Sequence, residues 1–136
     1  MINLELIKSQ VGCNEAANLA QIKLCNHKLQ KANLPEIPSA YAELLQQCNG
    51  FSNEDARVFG AEITDNNWYT DIFAYNQRFF DEEDSSVLIL GIDDERFFVY
   101  DSTDKEYRLI DQYTYEIVFS DTSFEGCLYR LLRIED

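Results

Sequence analysis

The spacing of apolar and polar residues changes period along this chain, from helical in its first half to strand-like in its second. Residues 15 to 31 lack Gly and Pro and are rich in helix formers. A helix is predicted there, with Asn14 as N-cap and Glu15 near the positive end of the helix dipole. Leu19, Ala16, Ala20 and Leu24 share a broad arc with His27, while Ile22 and Leu29 lie outside it. In IPSAYAELLQQCNGF, residues 37 to 51, Ile37, Tyr41, Leu44, Leu45 and Cys48 fall on one helical face. Pro38 suits the first helical turn, where its missing N–H has no intrahelical partner. That helix is predicted to reach about Cys48 and to stop at Asn49-Gly50, both of which tolerate left-handed backbone. Phe51 then re-enters the core.

Beyond Asp55 the period shortens. ARVFGAEI, with Gly60 inside it, predicts a strand with a bend or bulge. WYTDIFAYNQRFF places Ile72, Phe73, Tyr75 and Phe79 at intervals that fit a short helix, the favoured reading, while its aromatic enrichment equally suits extended chain; DEEDSS, residues 81 to 86, is predicted to be a solvated connection. Val87 to Leu90 is a continuous apolar run, the pattern of a central strand covered on both faces and ended by Gly91. FFVYD, EYRLID and TYEIVFSD continue as an antiparallel meander. Thr122 and Glu125 stand at capping-box spacing before Phe124, Cys127, Leu128, Leu131 and Leu132, which predicts a C-terminal amphipathic helix. The expected architecture is α+β, an antiparallel-rich sheet with N-terminal helices and a C-terminal helix packed on it.

Composition narrows the function classes. The 136 residues suit one domain, 1–136, and 46% hydrophobic with 13% aromatic content is enough for a core despite a net charge of −14. Residues 1 to 31 are net +2, so the remainder carries −16. Such acidity repels phosphate backbones and anionic lipid, which disfavours direct nucleic-acid or membrane-surface binding and favours cationic partners. Acidity also serves solubility, the plainer explanation.

Cys13, Cys25, Cys48 and Cys127 form no CxxC pair and no Cys/His cluster, so neither a metal site nor a redox motif is predicted and the thiols are expected reduced. With no signal-length apolar run, the expected compartment is the cytoplasm. His27, the single histidine, has no nucleophile or orienting acid in its neighbourhood and is expected to be partly buried and structural. Neither catalysis nor a cofactor is predicted, and no long exposed apolar strand demands dimerisation.

IPSAYAELLQQCNGF resembles the hydrophobic-Pro, amphipathic-helix, Asn-Gly signature of the SUKH superfamily, which includes fungal cell-wall regulators of the Smi/Knr type and bacterial immunity proteins. VFGAEI is similar to that family's bent strand, VLILGIDDERFFVYDS to its hairpin and TSFEGCLYRLL to its closing Ser/Thr-Phe helix. The resemblance spans roughly residues 34 to 132, with a YrhA-like branch nearest. Two departures stand out: the hairpin connection Asp93-Asp94-Glu95-Arg96 has no glycine, and the N-terminal helix has no distinctive motif.

The resemblance implies a non-enzymatic protein-binding domain, an immunity protein that neutralises a basic toxin such as a nuclease. The alternative is a general regulatory or scaffold module of the same superfamily. An acidic surface can stand in for phosphate in a basic active site, with attraction that speeds encounter. Affinity then needs buried anchors. Trp68 and Tyr69 beside Asp65 and Asp71 have that chemistry, with a core lid as the competing reading. Asp93, Asp94 and Glu95 are further candidate contacts, with a solvated turn as theirs.

Overall fold

The computed structural model describes residues 3–64, 70–78 and 86–134. Among them the order is α1 (Leu4–Gln10), β1 (Gly12–Cys13), α2 (Leu19–Lys31), α3 (Ser39–Leu45), β2 (Phe51–Ser52) and β3 (Ala56–Val58), then α4 (Ile72–Arg78), β4 (Val87–Asp93), β5 (Arg96–Asp101), β6 (Glu106–Asp111), β7 (Ile117–Asp121) and α5 (Glu125–Leu132). The strands form one sheet in chain order, each neighbouring pair antiparallel. The fold is α+β, with the N-terminal helices and α5 packed on that sheet.

Alternation places Leu88, Leu90, Phe98, Tyr107 and Leu109 in the core with Tyr41 of α3 and Cys127, Leu128 and Leu131 of α5. Each large side chain sunk there stabilises the fold by about 1.5–3 kcal/mol. Tyr41 is fully buried, meets the Phe98 and Phe124 rings edge-on, and donates its hydroxyl to the Phe59 carbonyl at 2.5 Å. That bond explains why a tyrosine occupies the centre: its ring fills the core while its hydroxyl binds backbone where the chain leaves β3.

α3 ends at Leu45 with Gln46 as its C-cap, short of the predicted Cys48, so the Asn49-Gly50 pair is not the helix stop. It lies farther along, where Gly50 takes the positive φ of +105° and Asn49 joins two parts of the fold. Asn49, buried, accepts the Ala61 N–H at 2.7 Å and donates to the Ala61 carbonyl at 2.8 Å, so its amide pairs with strand-like backbone as another strand would. The approach requires Gly60, since a Cβ there would overlap the Asn49 carbonyl.

Several expectations need correction. The long helix starts at Leu19, because Asn18 and Gln21 form the capping box; Asn14 instead donates its side-chain amide to the Asn49 carbonyl. The buried face of α2, which the loose apolar pattern left unassigned, is Ile22, Cys25 and Leu29, with Leu19 and Leu24 exposed. His27 is exposed, not partly buried. Gly91 does not end β4, which continues to Asp93 after a register shift between Ile89 and Gly91. The face of β4 opposite Leu88 and Leu90 is only partly covered, since Val87 and Ile89 are half-buried. The expected capping box at Thr122 is absent: Phe124 precedes α5 with no side-chain cap, and the Ser123 hydroxyl accepts the Glu125 N–H at 3.3 Å.

Cys13 and Cys48 are joined, with Cα atoms 5.8 Å apart, so two of the four cysteines expected as reduced thiols are paired. The sequence separation of 35 hid this, because the pairing depends on β1 folding back beside the end of α3. No described helix is long and apolar enough to cross a membrane.

Candidate partner-binding surface

Three connections, β2–β3, β4–β5 and β6–β7, emerge at one end of the sheet because the meander is antiparallel. All use the same local device. Asn53 Oδ1 accepts the N–H groups of Asp55 and Ala56, Asp93 Oδ1 those of Glu95 and Arg96, and Asp111 Oδ1 those of Tyr113 and Thr114. An Asx side chain mimicking backbone in this way closes a tight turn and directs the intervening side chains outward. The N–H groups of Thr114 and Tyr113 hold the Asp111 carboxyl below the usual aspartate range.

The loops are cross-linked. Gln112 N–H donates to the Glu95 carbonyl at 2.8 Å, and the Gln112 side chain donates to the Asp93 carbonyl at 2.7 Å. The Arg133 guanidinium lies 3.7 Å from Asp55 and 3.8 Å from Asp94, a loose bridge between exposed groups. Glu54, Asp55, Asp94, Glu95 and Glu116 are exposed around this end. Tyr113 and Tyr115 stand among them 78% and 73% exposed, and Ile117 and Val118 open the adjoining strand at 55% and 56%. Acidic groups interleaved with aromatic and apolar surface are the composition of a protein-binding patch.

The predicted site residues divide sharply. Asp94 and Glu95 lie in this patch. Asp93 does not contact solvent: its carboxylate accepts the two turn N–H groups and a two-pronged bond from Arg96, at 3.0 Å to Nε and 2.7 Å to Nη2. Asp71 is likewise buried and structural, accepting the N–H of Ile63 at 2.9 Å and of Ala74 at 2.8 Å. Burial raises its carboxyl above the ordinary aspartate range, against the lowering effect of those bonds. Both aspartates were expected on a partner surface, but turn and helix-start geometry draws them inward. Asp65, Trp68 and Tyr69 lie outside the described residues, as does most of the 81–86 acidic run.

The predictions missed the contribution of DQYTYE. Its signal was present: two tyrosines in an Asp-initiated turn between alternating strands have no core to enter. Tyr115 was assigned to the strand instead, whereas it sits at φ 60° in the turn.

Elsewhere a polar cleft of about 480 Å³ is lined by Asn14, Glu15, Asn18, Gln21, Asn49 and Glu62, among others. At its wall Lys28 Nζ lies 2.9 Å from both Glu62 carboxylate oxygens, and that bond raises the lysine above its usual range. The cleft walls combine side-chain amides with the Glu15 and Glu62 carboxylates and Thr64. Cys25 and Cys127 carry free thiols, but burial pushes each up to about 12, so neither is a thiolate at neutral pH. Among the described residues no group of three His, Cys, Asp or Glu side chains is placed to hold a metal ion. The chain matches no protein-family model and no curated protein.

Proposed function

We propose that this chain is a SUKH-like, non-enzymatic binding domain that neutralises a basic protein, in the immunity reading a bacterial toxin such as a nuclease, through the acidic, tyrosine-bearing end of its sheet. The observation that carries the reading is that three Asx-closed loops open at one end of the sheet and each carries exposed acids: Glu54 and Asp55, Asp94 and Glu95, and Glu116 with the exposed Tyr113 and Tyr115. Carboxylates from separate stretches of chain become one negative surface that attracts Lys and Arg over a Debye length of about 10 Å at moderate salt. The tyrosines add rigid apolar area with a polar tip, the usual source of affinity once charge has brought partners together.

The test is association with a basic protein captured from the source cell, or with a basic toxin domain if the adjoining reading frame encodes one. Converting Asp94, Glu95 and Glu54 to Lys is expected to lower the association rate at low salt by at least about tenfold and to flatten its salt dependence. Tyr113→Ala is expected to act on dissociation, by about 1–2 kcal/mol. Unchanged rates for the charge-reversed variant at low salt would remove the acidic end from the mechanism.

A further inference from the structure

Strand β7 closes the sheet, and among the described residues no strand lies beyond it, so one rim of its backbone N–H and C=O groups is unpaired. Proteins commonly blunt such an edge with lysine, proline or a covering element. Here the strand reads IVFSD, with Ile117 and Val118 more than half exposed and a register shift between Leu109 and Ile110, opposite Val118; it carries no lysine or proline, and among the described residues no strand covers its edge. Glu116 precedes the strand and Asp121 ends it, both exposed. The two arginines packed nearest are engaged: Arg130 covers the Phe119 ring at 3.7 Å and donates to the Gly126 carbonyl, and Arg108 bridges Asp101, Asp104 and Glu106.

The geometry points to β7 as the docking edge for an extended, basic segment of the partner, added as a further antiparallel strand. This rests on the proposed function and supplies its binding mode. Glu116 lies just before the strand and Asp121 ends it, with the register shift at Val118 between them, so the matching segment carries Lys or Arg towards both of its ends with β-branched residues between. A second copy of this chain fits poorly: two-fold pairing of β7 would set Glu116 and Asp121 of each copy near those of the other, in a molecule already at −14.

The experiment uses the whole chain and an acetylated, amidated hexapeptide, Lys-Thr-Val-Thr-Val-Lys, at low ionic strength. Titration followed by amide chemical shifts is expected to perturb residues 116–121 and to slow hydrogen exchange along β7. N-methylating alternate amides on the pairing edge of the peptide is expected to weaken binding at least about tenfold, as loss of several ladder hydrogen bonds requires. The double variant Ile117→Lys, Val118→Lys alters only exposed side chains; it is expected to keep its melting temperature and lose the peptide. Equal binding of the N-methylated peptide, with shifts at Glu54, Asp55, Asp94 and Glu95, would overturn strand addition and leave the acidic-end reading standing. No peptide binding at millimolar concentration would also overturn strand addition; the acidic-end reading then stands or falls on the toxin association rates alone. A concentration-dependent dimer that protects β7 without peptide would overturn the proposal in favour of a second copy.

Discussion

Asn49 shows how one side chain can hold two parts of a fold in register. Its amide is the partner of both the Ala61 N–H and the Ala61 carbonyl in a buried site, so Asn49→Ala strands two backbone groups away from water. The expected cost is about 2–4 kcal/mol, read by urea unfolding, and Asn49→Asp fails similarly because it has no donor for the carbonyl. Asp71 gives a pH signature. Its folded-state carboxyl is raised above its unfolded value, chiefly by burial, so the folded chain keeps that proton to higher pH. Its contribution is therefore fully present below the unfolded value of about 4 and is lost as pH rises through the folded one. Asp71→Asn removes the titration, so its stability deficit relative to the parent chain is expected to be larger near pH 4 than near pH 7. Neither role was legible beforehand: Asn49 read as a helix stop and Asp71 as a surface acid, because hydrogen bonds to Ala61 and Ile63 depend on how the chain folds back, not on spacing.

At the scale of elements, α2 separates pattern from packing. It carries apolar residues on both faces: Leu19 and Leu24 are exposed while Cys25 shares the buried stripe with Ile22 and Leu29. Leu29→Ala is expected to destabilise by about 2–5 kcal/mol and Leu24→Ala by no more than about 0.5 kcal/mol, measured by thermal or urea unfolding. The Cys13–Cys48 link fastens the short β1 and the chain before α2 to the end of α3. With its ends 35 positions apart in sequence, loop-closure entropy alone makes it worth about 3–4 kcal/mol. Reductant is expected to lower the melting temperature of the parent chain and to leave Cys13→Ser unaffected; alkylation after unfolding without reductant should tag only Cys25 and Cys127. Strand β6 and α5 were legible because each buries a face whose period matches its own backbone, and β7 was legible from its sequence alternation although it stays largely exposed. The two-residue β1 and β2 were not, since so short a strand has no period to read.

For the molecule as a whole, charge acts on folding and on binding with opposite signs. At −14 the folded chain repels itself, so added salt is expected to raise the melting temperature while it slows association with a basic partner. A binding rate that rose with salt would contradict the electrostatic part of the proposal. From the sequence alone came the α+β class, the meander from Val87 onward, the closing amphipathic helix and the acidic character of the last hundred residues, all consequences of local period and composition. Tertiary structure decided what those charges do. It drew Asp71 and Asp93 inward to bind backbone, left Asp94 and Glu95 outside, and set Glu54, Asp55 and Glu116 beside them with Tyr113 and Tyr115. The physical reason is that an aspartate in a turn and one on a surface look alike along the chain; only the hydrogen-bond donors that folding brings to each carboxylate tell them apart.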